Sequence, residues 1–165
     1  GSVAVTCSTA GALGLITAIT DIDSDRPLDT EEEVSLGRYA SGELFLHVHP
    51  LDTALFVLTG GERYYLYPTV VEQTEAEKRD ALMCLYKAVR YPAEARRKSV
   101  AGTVVSEVYL NELGMPGEII PKTNHGSGLE NAAISALQMC TYPRAKFAGA
   151  PVKSIYVVPV SFKLN

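Results

Sequence analysis

Residues 91–119 read YPAEARRKSVAGTVVSEVYLNELGMPGEI, and the order of elements in this stretch decides the fold. Pro92 ends whatever helix precedes it, because the residue before a proline is pushed out of the helical region. The same proline suits the start of a short helix over 93–98, where its missing N–H costs nothing. Gly102 closes that helix. Thr103, Val104, Val105 and Val108 then mark a strand over 103–110. Asn111, Gly114, Pro116 and Gly117 make a turn, and 118–122 supply the hairpin partner.

Working outward, Thr74-Glu75-Ala76-Glu77 has the spacing of a capping box, hydroxyl at the helix start and carboxylate three residues on. The helix it opens places Ala81, Leu82, Leu85, Ala88 and Val89 on one face. It is expected to connect two modules. Downstream, Ser127-Gly128-Leu129-Glu130 repeats the capping pattern and opens a helix to about Met139, with Leu129, Ala133, Ala136, Leu137 and Cys140 as its apolar set. A loop over 142–151 leads to a long closing strand over 152–164. Helix, strand, strand, helix, strand implies a three-stranded sheet with helices on one face.

The closing strand alternates. Val152, Ser154, Tyr156, Val158, Val160, Phe162 and Leu164 form the core-facing set; Lys153, Ile155, Val157, Pro159, Ser161 and Lys163 form the other. Pro159 cannot donate to a ladder, so the strand is expected at a sheet edge. Its lysines are suited to guarding that edge. Such an edge is where a partner segment adds a strand.

The first half is strand-rich. Segments 3–6, 15–21, 43–48, 54–58 and 64–71 carry Val, Ile, Thr, Phe and Tyr between turn residues, and Gly60-Gly61 marks a hairpin. Residues 21–33 read as an acidic loop. The pattern predicts a small all-β, sandwich-like module over 1–73.

Composition narrows the function. With 47% hydrophobic residues in 165, the chain is globular. No run of eighteen apolar residues spans a bilayer. The Gly1-Ser2 start reads as a cloning scar, with any signal or anchor upstream of it. Residues 1–73 carry eleven acids against Arg26, Arg38 and Arg63, whereas 74–165 carry eight acids against twelve bases. The cluster of Lys87, Arg90, Arg96, Arg97 and Lys98 lacks the wide basic surface and stacking aromatics that nucleic acid requires, and reads as a solvated helix face.

Three cysteines without a CxxC pair give neither a disulfide framework nor a zinc site. Cys84 and Cys140 are read as small buried hydrophobes on helices, one disulfide with a leftover thiol being the alternative. Cys7 is in a poor context for lipidation. His47 and His49, two apart on one strand, face the same side and raise the alternative of a metal-binding or hydrolytic domain. A third ligand and a nucleophile-base pair are not evident, so two strand histidines without chemistry are the preferred reading. Asp21-Ile22-Asp23-Ser24-Asp25 begins like a calcium loop but has Arg26 where glycine is required. No cofactor motif is present.

An ordered series of motifs carries a family likeness. Tyr91-Pro92-Ala93-Glu94-Ala95-Arg96-Arg97-Lys98, Gly102-Thr103-Val104-Val105, the loop with Gly114 and Gly117, Gly128-Leu129-Glu130-Asn131-Ala132-Ala133, Gly149-Ala150-Pro151-Val152 and Val158-Pro159-Val160-Ser161-Phe162-Lys163-Leu164 together resemble the C-terminal domain of TonB-family proteins. The resemblance covers 90–165. It implies two helices on a three-stranded sheet, in the periplasm. It also implies a non-enzymatic role, pairing with an extended segment of an outer-membrane transporter. It assigns that pairing to the last strand, through Ile155, Val157, Pro159 and Ser161, with Tyr91 and Pro92 as a second contact region. The series departs from the family at Cys140, where a tryptophan is usual, while Tyr142 occupies the position of the aromatic two residues later. A strand-rich stretch also stands in place of a proline-rich spacer. Ser41–Val48, Leu55–Leu58 and Gly60–Tyr64 are distantly similar to a carboxypeptidase regulatory-like sandwich.

The expected chain is therefore α+β: an all-β module over 1–73, a connector helix over 74–89 and a TonB-like domain over 90–165. The expected partner is a protein. Nucleic acid is not expected, and a homodimer through the C-terminal edge strand is compatible with the pattern. An envelope adaptor without energy coupling is the alternative function.

Overall fold

The structure, a computed structural model, describes residues 4–8, 15–20, 31–40, 42–66 and 70–164. Among the described residues, twelve strands and three helices follow in order. They are β1 (Ala4–Ser8), β2 (Leu15–Thr20), β3 (Glu32–Tyr39), β4 (Gly42–His49), β5 (Asp52–Thr59), β6 (Glu62–Leu66), β7 (Val70–Glu72), α1 (Glu75–Ala88), α2 (Ala93–Arg97), β8 (Gly102–Leu110), β9 (Pro116–Pro121), α3 (Leu129–Leu137), β10 (Arg144–Phe147), β11 (Ala150–Val152) and β12 (Ser154–Phe162). The α+β class holds. The calcium-like run 21–25 lies outside the described residues.

The three-stranded sheet does not stand alone. β12, β8 and β9 are part of a seven-stranded sheet in the order β3-β4-β5-β6-β12-β8-β9. The strands expected to make a separate sandwich instead run as an antiparallel meander into that sheet. β6 joins β12 in parallel, through Tyr65↔Ser154 and Leu66↔Ile155, with the Tyr65 amide donating to the Lys153 carbonyl at 2.8 Å. β12 is thus not the sheet's terminal strand, and a dimer zipped along its whole length has no free strand to use. Its ladder with β8 is regular from Ser154↔Leu110 to Phe162↔Gly102.

The sheet coils so that its two halves share one apolar layer. Leu44, Leu46 and Val48 of β4, Leu55 and Val57 of β5 and Leu66 pack with Tyr109 and Ile155. Tyr39 donates its hydroxyl to the Glu107 carboxylate at 2.8 Å, and the Lys122 ammonium lies 2.5 Å from the other oxygen of that fully buried side chain. Burial, then the bond to Glu107, pushes the Tyr39 hydroxyl pKa well up. On the opposite face of β8 and β12, Val104, Val108, Leu110, Val158, Val160 and Phe162 meet Ala95 of α2 and Leu129, Ala133 and Leu137 of α3. Each large side chain buried there contributes about 1.5–3 kcal/mol.

Local chemistry accounts for the turns. Thr59 pairs with Glu62 across Gly60 and Gly61, whose φ values of 58° and 78° suit a two-residue hairpin of the primed type. At α1 the Thr74 hydroxyl accepts from the Glu77 amide at 3.1 Å, but the return half of the box is not made: Glu77 pairs with Arg144 at 3.2 Å. The second capping box does not form. Gly128 is the N-cap of α3 without a side-chain bond, and Glu130 reaches back past Ser127 to the amides of His125 (2.8 Å) and Gly126 (3.0 Å).

Two loops of the sequence reading contain strands. Glu32 and Glu33, placed in the acidic loop, belong to β3. The segment 142–151 holds β10 and the start of β11, which form a small sheet with β7 in the order β11-β10-β7. This sheet caps the other face of the meander, where Phe147 packs with Ala54, Phe56 and Tyr65.

Candidate functional site

β12 is a strand with two fates. Tyr156, Val158, Val160 and Phe162 turn toward the helix-side core, as the alternation predicts. The other set changes environment along the strand: Ile155 is buried by the meander, Val157 is half-buried, and Pro159 and Ser161 are exposed.

The main chain follows the same parity. Lys153 sends its carbonyl to β6, away from β8. By alternation Ile155, Val157, Pro159 and Ser161 also present their backbone groups on that side. The β8 end agrees, because Val105, opposite Pro159, gives its carbonyl to the Lys122 amide rather than to β12. Proline is tolerated here since its nitrogen faces outward. Among the described residues β6 pairs with β12 only as far as Ile155. Beyond it no described strand pairs with the acceptors at Val157, Pro159 and Ser161 or the donors at Val157 and Ser161.

Beside this open edge lies a groove of about 450 Å³. One wall is α1, with Lys78, Ala81, Leu82 and Leu85. The other is Tyr156, Val157, Val158 and Pro159, and the segment from Cys140 to Pro143 lies between them. Tyr142 is fixed from two sides: its amide donates to the Gly114 carbonyl at 2.8 Å and its hydroxyl to the Leu137 carbonyl at 2.6 Å. Burial raises its pKa strongly.

A disulfide joins Cys84 of α1 to Cys140, with Cα atoms 5.9 Å apart. The two cysteines are therefore not free core hydrophobes. Helix α1 and the bend just after α3, where Cys140 lies beyond the expected helix, bring them together across 56 residues of sequence, a pairing that no local spacing announces.

The expected site residues separate accordingly. Val157 and Pro159 line the groove, and Ser161 lies further along the same edge with its hydroxyl 3.0 Å from that of Thr103. Ile155 is 2% exposed and pairs with Leu66. Tyr91 sits at the far end of the strand on the helix side. Its ring meets Phe162 edge-on at 5.5 Å, its hydroxyl donates to the Val100 carbonyl at 2.6 Å, and Arg96 covers its face. Pro92 is the N-cap of α2 and packs near Gly128. Sequence reasoning missed Leu82, Leu85 and Tyr142 as groove residues; the helical apolar stripe and the aromatic after Cys140 were the available signals.

The histidine pair is engaged within the fold. His47 is buried, with Nδ1 2.8 Å from the Tyr65 hydroxyl and Nε2 2.5 Å from the Glu31 carboxylate. His49 Nδ1 accepts from the Leu51 amide at 3.0 Å. Both rings pack on Phe147. With both nitrogens of His47 occupied, the pair offers no shared metal position, and no group of three or more metal-ligating side chains occurs among the described residues. The hydrogen bond from His47 holds the Glu31 carboxyl below its usual range.

Among the described residues no helix is long and apolar enough to cross a membrane. Residues 87–164 match the family described as Gram-negative bacterial TonB protein C-terminal. A relative, Protein tonB2 of Pseudomonas aeruginosa, is 34% identical over 79 residues, which cover 47% of this chain and 29% of that protein. The chain thus spans less than a third of that relative. No solved structure matches it significantly.

Proposed function

Because residues 87–164 match the TonB C-terminal family, we propose that this chain is a non-enzymatic periplasmic interaction module. It docks an extended segment of an outer-membrane transporter by strand addition on β12. The observation that carries this reading is the main-chain edge of Val157, Pro159 and Ser161, left unpaired by β6 among the described residues. Main-chain hydrogen bonds there supply affinity, and the adjoining groove supplies side-chain contact. Tyr91 and Pro92 act from behind, by anchoring Phe162 and the start of α2.

The test is a titration of extended peptides from transporter N-termini into isotope-labelled protein. Backbone amide shifts concentrated on Val157 to Phe162 are expected. Absence of any shift at millimolar peptide would remove the docking role.

A second reading is an envelope adaptor that binds a protein without transmitting energy. It is favoured by one observation: β6 of the first half is a direct sheet neighbour of β12, so the two halves share backbone hydrogen bonds. A domain that must move on a long tether has no need of that pairing. Binding of transporter peptides together with loss of transport on deletion of the chain supports the first reading; binding without a transport defect supports the second.

A further inference from the structure

The outer wall of the groove precedes the matched family domain. Lys78, Ala81, Leu82 and Leu85 belong to α1, whereas the match begins at residue 87. α1 has fourteen residues and none of them is buried. Leu82 is 70% exposed. The helix is held to the body by the Cys84–Cys140 bridge, by Leu85 and Val89 resting on the helix-side core, and by the exposed Glu77–Arg144 pair. A helix of this length is marginal on its own, and exposed ion pairs hold little. The bridge is the covalent tie between α1 and the segment from Cys140 to Pro143 that lies under the groove.

We propose that α1, stapled by the Cys84–Cys140 bridge, selects the segment docked on β12, favouring an apolar side chain where the segment passes Val157, and that reduction of the bridge abolishes the selection. This rests on the strand-addition reading. Side chains of an added strand alternate between faces, and those on the α1 side enter the groove between Leu82, Leu85, Tyr142 and Tyr156. A polar side chain there is desolvated without a partner. The edge itself discriminates poorly, because backbone hydrogen bonds are common to all sequences. Its one irregularity is the missing N–H at Pro159. The occupant is thus an extended peptide with aliphatic or aromatic residues on one face. In the switch, a dithiol reductant transfers two electrons and two protons to the S–S bond, giving two thiols, and itself becomes a disulfide. Cys84 is half-buried at the surface of α1, within reach of such a reductant.

The experiment uses the whole chain and two blocked peptides, Thr-Leu-Thr-Leu-Thr-Leu-Thr and its counterpart with serine for leucine. Affinities and amide shifts are measured for the oxidised protein, for the protein reduced with dithiothreitol, and for Leu82→Asp. The oxidised protein is expected to prefer the leucine peptide by roughly tenfold or more, the effect of burying one such side chain. Reduction and Leu82→Asp are expected to erase the preference while shifts along Val157 to Ser161 persist. If the reduced protein loses its dispersed spectrum, Leu82→Asp, at an exposed position, carries the comparison. Equal affinity of the oxidised protein for both peptides overturns the selection and leaves strand addition intact. A preference that survives Leu82→Asp overturns the role of α1, and one that survives reduction in a folded protein overturns the role of the bridge. No binding of either peptide overturns the inference together with the reading beneath it.

Discussion

The Tyr39 hydroxyl lies 2.8 Å from the Glu107 carboxylate, so an early strand is tied to the centre of the family domain by a hydrogen bond to a buried charge. Lys122 neutralises the same carboxylate. Tyr39→Phe removes one charge-assisted bond and is expected to cost about 1.5–3 kcal/mol. Glu107→Ala strands the lysine beside an apolar layer and is expected to cost more, about 3–5 kcal/mol. Urea midpoints of the two variants against the parent protein check the order.

Glu130 gives the start of α3 an acid-sensitive tie. Burial works to raise its pKa, but hydrogen bonds from the His125 ring and amide, the Gly126 amide and the Thr123 hydroxyl outweigh that and bring it below the usual 4.5. A carboxyl depressed in the folded state stabilises above its unfolded pKa, and that contribution is lost as pH falls through the folded value. The protection factors of the His125 and Gly126 amides, which correct exchange for its intrinsic slowing in acid, should therefore fall on acidification below about pH 4.5. In Glu130→Ala the same amides should exchange fast already at pH 7, with a stability loss of about 2 kcal/mol.

Gly114 holds the segment under the groove in place. Its φ is +75°, and an added Cβ would stand 2.2 Å from the Tyr142 carbonyl oxygen. Gly114→Ala must move that backbone as well as bear about 1–2 kcal/mol of left-handed strain. Loss of stability beyond that figure, with amide shifts at Tyr142 and in α1, is the expected result in calorimetry and two-dimensional spectra.

Pro159 blunts an exposed edge. Its nitrogen faces away from β8, so Pro159→Val leaves the β12–β8 ladder intact and adds a donor to the open side. Unchanged unfolding temperature with increased self-association in sedimentation is expected. A clear gain in stability, from a new N–H bonded to β8, would mean that the proline nitrogen faces β8 after all.

What the sequence makes legible is what local chemistry encodes. The alternation in β12, the Thr74 cap, the Gly60-Gly61 turn and the stop at Pro92 depend on neighbours a few residues apart, and each is where it was expected. β3 was missed because seven of its eight residues, from Glu32 to Arg38, are exposed and no buried alternation survives. β10 is four residues long and offers two buried side chains. The β6–β12 pairing and the Cys84–Cys140 bridge join segments remote in sequence, and periodicity holds no record of either. The groove was half visible for that reason: its β12 wall follows from Pro159, while its α1 wall depends on the bridge.

The insertion of β12 between β6 and β8 also sets an order of assembly. Synthesis delivers the meander first and the strand that completes its sheet last. Until β12 arrives, Tyr65 and Leu66 leave one side of β6 as an open edge, and β8 lacks its β12 partner along nine residues. Closure therefore requires contacts of very long sequence separation, which form slowly. In the interval, two immature chains can pair through the same edge. The edge that docks a partner in the finished molecule belongs to the strand whose arrival ends that exposure.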